Sequence, residues 1–358
     1  MKIAINTGGG DAPGLNAAIR SATLSALRMG WEVVGIQNGY GSLYTDEPFI
    51  PLTRERVRGI TMLGGTILGT ANRGNPFEMP YKKQDGTWDA EDRSDELVDV
   101  FRRYGVDALV AIGGDGSMRI ANRIAKKGVK VVGVPKTIDN DIWACDISLG
   151  FDTAVTTATD AIDKIATTAQ SHRRIMVVEV MGRYAGWIAL HSGLSASADA
   201  ILIPEIEFSL ESIVDKIFER EAKGEKYSII VVAEGAVEVG GSRFVKGKKI
   251  GQSEQLGGIA EYLESELSER TGKESRSLVL GHLQRGGVPS AYDRLISLRF
   301  GAAAVRVLDE GQVNKMIVMQ QSTIRAIPLE EVADKMKLVP LDSDTIATAR
   351  EIGICLGD

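Results

Sequence analysis

The sequence predicts an α/β protein built from two doubly wound, mostly parallel sheets with helices on both faces. Three observations predict it. Short apolar runs rich in β-branched residues alternate with longer helical stretches, as in parallel strands joined by crossover helices. Forty glycines supply tight strand-to-helix turns, and several strands end in a glycine cluster, where open α/β sheets place ligands. The chain has 358 residues, and at roughly 100–200 residues per domain two domains is the natural division.

The elements follow in order. Lys2–Asn6 reads as a strand that the N-terminus enters directly, not as a signal peptide. After a Gly-rich turn comes a helix from about Leu15 to Met29, then a strand at Glu32–Gln37. Lys82–Asp95 is polar and reads as a surface excursion. Leu97–Tyr104 reads as helix, Ala108–Ile112 as a buried strand, Ser117–Lys127 as helix and Lys130–Val134 as strand. Thr153–Ser171 has helical character, with Ile162 and Ile165 on one face. Ile175–Val180, Ser228–Ala233, Leu278–Gly281 and Lys315–Gln320 read as strands. Leu210–Lys223, Gly258–Thr271 and Tyr292–Leu308 read as helices.

Composition excludes several classes. A formal charge of −6 argues against nonspecific nucleic-acid binding, so a polyanion must be held by local basic clusters and backbone amides. Cys145 and Cys355 form no CxxC, and three histidines give no zinc spacing. Two reduced thiols in a cytoplasmic protein is the expectation. No apolar run is long enough for a membrane span.

Four clusters carry chemistry. Thr7-Gly8-Gly9-Gly10-Asp11-Ala12-Pro13-Gly14-Leu15-Asn16 lies between strand and helix. It is either a plain turn or a loop whose amides approach phosphate oxygens at a helix N-terminus. Pro13 spoils the GxGxxG of a dinucleotide site, and no GxxxxGK[ST] occurs. Ile112-Gly113-Gly114-Asp115-Gly116-Ser117 repeats the arrangement with a carboxylate. Asp115 there either caps the helix or holds Mg²⁺ against phosphates. Pro135-Lys136-Thr137-Ile138-Asp139-Asn140-Asp141 places two carboxylates and an amide at a strand end. That is either an Asx-rich turn or a positioned base. Arg73, Arg174, Arg183, Arg276 and Arg285 sit mostly beside glycine or at strand ends. Each alone reads as an ordinary surface arginine; together they offer guanidinium forks to phosphates.

In conjunction these segments, with Glu179-Val180-Met181-Gly182-Arg183 and Gly281-His282-Leu283-Gln284-Arg285-Gly286-Gly287, resemble the 6-phosphofructokinase family in order and spacing. The resemblance runs from near the N-terminus to about residue 300, and it implies the following. Asp139 is the base at the sugar's 1-hydroxyl, and Thr137 and Asp141 support the transferring phosphoryl group and its metal. Asp115 binds Mg²⁺. Gly10, Arg73, Gly114, Asp115, Gly116, Ser117 and Lys136 cradle the phosphoryl donor. Thr137, Ile138, Asp139, Met181, Gly182, Arg183 and Glu234 hold fructose 6-phosphate. His282, Leu283, Gln284 and Arg285 surround its phosphate. Arg174 and Arg276 reach across a subunit interface, which implies a homodimer or homotetramer with shared sites. The site lies in a cleft between two domains: a donor domain of residues 1–150 with 285–334, and a sugar domain of 151–284 with 335–358.

Two positions bear on the donor. Gly116 leaves room for a nucleoside, as in the family's ATP users, whereas Lys136 resembles its pyrophosphate users. The mixed-substrate branch is the nearest resemblance. ATP is the expected donor, because an obstructing side chain excludes adenosine while an extra lysine need not exclude a triphosphate. Leu24 stands where allosteric bacterial members carry a second effector arginine four residues after Arg20, so nucleotide activation is expected to be weak or absent. An NAD(P)-linked oxidoreductase would leave the Asp139 cluster unexplained. A non-catalytic sugar-phosphate sensor would have no need of Asp139 and Asp115.

Overall fold

The structure, a computed structural model, describes residues 1–71, 74–247 and 254–358. The first part of the chain comprises β1 (Lys2–Thr7), α1 (Leu15–Arg28), β2 (Glu32–Ile36), β3 (Phe49–Pro51), the hairpin β4 (Met79–Lys82) and β5 (Trp88–Glu91), α2 (Ser94–Arg103), β6 (Ala108–Gly113), α3 (Asp115–Lys126) and β7 (Lys130–Pro135). The middle comprises α4 (Phe151–His172), β8 (Ile175–Val180), α5 (Trp187–Ser195), β9 (Ala200–Leu202), α6 (Leu210–Ala222), β10 (Ser228–Ala233), the hairpin β11 (Val245–Gly247) and β12 (Gln255–Leu256), α7 (Ile259–Thr271) and β13 (Ser275–Val279). The last part comprises α8 (Ala291–Asp309), β14 (Lys315–Gln320), β15 (Thr323–Pro328), α9 (Leu329–Val332) and α10 (Asp344–Glu351).

These elements form two larger sheets, each with its own buried core. One has seven strands in the order β15-β14-β7-β6-β1-β2-β3. Its edge strands β3 and β15 pair antiparallel and the rest parallel. The other has four parallel strands in the order β13-β8-β10-β9. The central strands are apolar except for Glu179 and Ser228 because both faces are covered: every residue of β6, β8 and β10 is buried. In the larger sheet the strand order reverses between β1 and β6, which makes that pair the switch point where ligands bind in such sheets.

Register brings the loops level. Thr7 pairs with Ile112 and Gly113 with Pro135, so the loops after β1, β6 and β7 leave the same edge. Val180 pairs with Ala233 and Val279 with Glu179, so the loops after β8, β10 and β13 do likewise in the smaller sheet.

Several boundaries differ from those read in the sequence, for physical reasons. Helix α3 begins at Asp115 rather than Ser117, since an acidic first turn suits the helix N-terminus. Helix α2 begins at Ser94, whose backbone N–H is accepted by Asp92. Helix α4 begins at Phe151 because Asp293, 140 residues from Thr153, caps it. The strand expected at Leu278–Gly281 is Ser275–Val279, and Gly281–Arg285 coils into a 3₁₀ turn. Elements of two to four residues, β3, β9 and the two hairpins among them, carry too little pattern to be read.

Two features tie the layers together, one inside the larger sheet's core and one between the sheets. Helices α1 and α8 pack closely where a Cβ on Gly301 would collide with the Ala18 carbonyl. Asp293, wholly buried at the start of α8, accepts from Gly150 N (2.9 Å), Thr153 N (2.8 Å) and Thr153 Oγ1 (2.5 Å). Removing that carboxylate strands three buried donors. Asp293→Ala is expected to cost about 2–4 kcal/mol, seen as a lower midpoint in chemical unfolding.

Candidate active site

The site is built where the level loop ends of the two sheets meet. From the larger sheet comes the glycine loop after β1. Thr70 Oγ1 donates to the carbonyls of Thr7 and Gly9 and so pins the loop's main chain. Lys136 Nζ, from the end of β7, donates to the Gly10 carbonyl. A Cβ on Gly10 would stand 2.6 Å from Arg285 Nη1. Glycine there lets the guanidinium reach the Asp11 carbonyl at 3.3 Å. The loop after β6 passes through extended Gly114 into α3, so Asp115, Gly116 and Ser117 occupy the first turn of a helix N-terminus. Asp115 lies 3.8 Å from Arg119, which pairs at 2.6 Å with Asp334.

The loop after β7 carries the densest chemistry. Lys136, Thr137, Asp139, Asn140 and Asp141 are all buried. Local hydrogen bonds fix the turn. Thr137 Oγ1 accepts from Asp139 N at 3.1 Å, and Ser148 Oγ donates to the Thr137 carbonyl at 2.7 Å. Asn140, in the left-handed region at φ 53°, accepts from Ser148 N at 3.0 Å and donates to the Asp146 carbonyl at 3.3 Å. Among the described residues, buried Asp139 Oδ1 and Asp141 Oδ1 have no hydrogen-bond partner. Buried carboxylate oxygens are costly to leave in that state, so both are free to meet a ligand.

The smaller sheet supplies the facing charges. Arg183, left-handed at φ 51°, follows Met181 and Gly182 after β8. Its backbone N–H donates to Glu234 Oε1 at 3.1 Å, at the end of β10. Arg285 ends the 3₁₀ turn after β13. Burial pushes the Asp139 carboxyl up, opposed by the nearby Arg285, Arg183 and Lys136. Asp141 is pushed up to about 7 by burial, then by Asp139 and Asp115. Glu234 rises to about 7, again through burial and then Asp139. Lys136 falls to about 8 through burial and the Arg285 charge. Mutual perturbation of this size marks a functional cleft.

The structure thus brings together Gly10, Asp115, Lys136, Asp139, Asp141, Arg183, Glu234 and Arg285. Others stand elsewhere. Arg174 and Arg276 lie at the starts of β8 and β13, about 17–20 Å of strand away from the loops. They pair there with Glu274, at 2.8 and 2.5 Å. Two expected substrate contacts have side chains turned into the protein. Ile138 is fully buried in the apolar core. Gln284 is fully buried with its amide donating to Gly281. His282 and Leu283 are exposed. The expectation for Arg73 lies outside the described residues.

Sequence reasoning missed supporting residues whose partners are remote. Asn16 braces Leu63 and Gly64 through its amide nitrogen and Ile67 through its oxygen. Glu179, buried in β8, accepts from Gly258 N and Ala260 N at the start of α7. Asn16 and Glu179 both stood within quoted motifs, but nothing local announces what they hold.

Among the described residues no group of three His, Cys, Asp or Glu side chains has metal-binding geometry. The site does offer two carboxylates within electrostatic reach, Asp115 and Asp141, and one orphaned oxygen on Asp141. That set fits Mg²⁺, which takes one or two carboxylates and completes its shell with water and substrate phosphates.

Fold and site together define a doubly wound α/β protein with a cleft for phosphorylated small molecules. The chain matches the family model described as Phosphofructokinase over residues 2–308 and belongs to that family. It is 46% identical over 358 residues to an ATP-dependent 6-phosphofructokinase of Chloroflexus aggregans, covering 100% of this chain and 98% of that one. It is 46% identical over 343 residues to a pyrophosphate–fructose 6-phosphate 1-phosphotransferase of Amycolatopsis methanolica, covering 95% and 96%. Pichia pastoris phosphofructokinase in the T-state superimposes with a TM-score of 0.79 at 30% identity, over 92% of this chain and 37% of that longer one.

Proposed function

We propose that the chain is a cytoplasmic 6-phosphofructokinase that moves the terminal phosphoryl group of ATP onto the 1-hydroxyl of fructose 6-phosphate. The products are fructose 1,6-bisphosphate and ADP. One observation carries the reading: Asp139 is a buried carboxylate with a partnerless Oδ1, faced by Arg183, Arg285 and Lys136 from three separate strand ends. A base of that kind takes the proton of the hydroxyl as its oxygen attacks the terminal phosphorus. The bond from phosphorus to the bridging oxygen breaks, and its electron pair leaves with ADP. The cations neutralise charge on the transferring oxygens, which is most of what such a transfer requires.

Asp115 and Asp141 would hold Mg²⁺, which supplies charge neutralisation on the donor phosphates when bound. Gly10, Gly114, Gly116, Ser117 and Lys136 are the donor cradle. Met181, Gly182, Arg183, Glu234, His282 and Arg285 are the sugar-phosphate side. Residues 1–150 with 285–334 form the donor domain, and 151–284 with 335–358 the sugar domain. The remoteness of Arg174 and Arg276 from this chain's own cleft supports a homo-oligomer in which they serve a neighbour's site. Two free thiols, Cys145 and Cys355, suit a reducing cytoplasm. Pyrophosphate is the second reading of the donor, favoured by Lys136.

The test is fructose 1,6-bisphosphate production with ATP or pyrophosphate as sole donor. Turnover with ATP is expected, and turnover with pyrophosphate alone would overturn the choice of donor. Asp139→Asn should lower kcat by about 10²–10⁴-fold while fructose 6-phosphate binding, read by calorimetry, survives. A third expectation concerns pH. The Lys136 ammonium is charged below its value of about 8 and neutral above it. In the free enzyme kcat/KM for the donor should therefore fall as pH rises through about 8. Lys136→Met should remove that limb and stay low throughout.

A further inference from the structure

The loop that carries Asp139 and Asp141 is strained beyond its first turn. Ala144 lies in the left-handed region at φ 60°, a conformation that costs a non-glycine residue about 1–3 kcal/mol and persists only where surroundings over-determine it. The surroundings that do so come from the far end of the sequence.

After α9, which packs on the larger sheet, residues 333–339 cross to the smaller sheet's core, where Val339 is buried. The crossing runs along the catalytic loop. Asp334 pairs with Arg119, the neighbour of Asp115. Met336 bridges to Ile142. Lys337 makes the most contacts. Its backbone N–H donates to the Asp141 carbonyl at 2.8 Å. Its Nζ donates to the carbonyls of Cys145 (2.6 Å) and Asp146 (3.0 Å). Its own carbonyl accepts from Trp187 Nε1 at 3.0 Å, on the first helix after the Arg183 turn. Two residues on, Val339 N donates to Glu205, which also accepts from Gly186 N.

A charged donor shared by two carbonyls is among the stronger hydrogen-bonding arrangements. This one joins the carbonyls just after strained Ala144 to the main chain of Asp141. We propose that Lys337 is a positioning residue for phosphoryl transfer, holding the segment 139–146 so that Asp139 and Asp141 stand at the reacting centre. Lys337 touches neither substrate nor metal in this scheme and acts through the loop. The inference rests on the reading of the site given above.

The test uses the full chain with Lys337→Met, Lys337→Arg and Arg220→Met. Arg220 pairs at 2.6 Å with Asp199, away from the loop ends of the smaller sheet. Its variant therefore reports on lost stability alone. Lys337→Met should lower kcat about 10- to 100-fold, the scale of a misplacement near 1 Å, with both KM values within about twofold. Lys337→Arg, whose fork still reaches two carbonyls, should recover most of that loss. Arg220→Met should lower the melting temperature and leave kcat unchanged. Hydrogen exchange of peptides covering 137–149 should accelerate in Lys337→Met and stay unchanged in Arg220→Met, a readout that needs no turnover. Unchanged kcat in Lys337→Met, a kcat loss matched by Arg220→Met, or unchanged exchange in the loop would each overturn the proposal. Absence of wild-type turnover with either donor would overturn the underlying reading of the site. The exchange arm would still decide whether Lys337 holds the loop.

Discussion

Asp139 sits close enough to Asp141 and Glu234 to raise the affinity of each for protons, in a largely buried place. Two like charges 4 Å apart repel by about 4 kcal/mol at the effective dielectric of a protein site. Folding this chain means holding such a set together, and the compensating cations come from different parts of the sequence. Lys136 lies in the larger sheet's loop, while Arg183 and Arg285 belong to separate loops of the smaller one. Neither sheet alone would assemble the set. The cleft is therefore a consequence of the charge arrangement as well as its container.

Rigidity follows from the same constraint. The Asp139 and Asp141 main chain is tied down by hydrogen bonds, while their Oδ1 atoms have no partner among the described residues. Thr137, Asn140 and Ser148 fix the turn from within, and residues 333–339 fix it from outside. Asp293 does a comparable task one layer away. Its carboxylate at the start of α8 caps α4, so the helix leading into β8 is oriented by the helix that packs on α1. The Arg183 turn, which follows β8, inherits its position from that junction.

Much of this was legible in the sequence, and the part that was not has a common cause. The long strands and helices announce themselves through periodicity and apolar runs, and the three glycine- and aspartate-rich segments mark the loop ends. Local pattern put Asp115, Asp139 and Arg285 in separate motifs, and only their conjunction suggested a single site. What stayed hidden depends on residues far apart in sequence. Nothing near Phe151 says that a cap arrives from Asp293, and nothing near Lys337 says that its ammonium meets Cys145. Ile138 and Gln284 show that a motif does not announce side-chain direction: Ile138 fills the apolar core, while buried Gln284 donates to the Gly281 carbonyl and leaves its Oε1 without a partner among the described residues.

Donor choice is where local structure has to decide, because relatives with both kinds of donor in their names stand at 46% identity to this chain. Steric exclusion and charge attraction act differently here. In the proposed reading residue 116 borders the nucleoside, and a Cβ built on Gly116 meets no atom within 4 Å, so the position is open. An ammonium favours any polyanion and excludes none. Lys136 moreover gives one of its three donors to the Gly10 carbonyl, and its Nζ stands 3.6 Å from a Cβ built on Gly9. It therefore strengthens the hold on donor phosphates without entering the space beside Gly116. On that proposed reading the open position governs what fits, the lysine governs how tightly the phosphates are held, and the two are compatible with ATP.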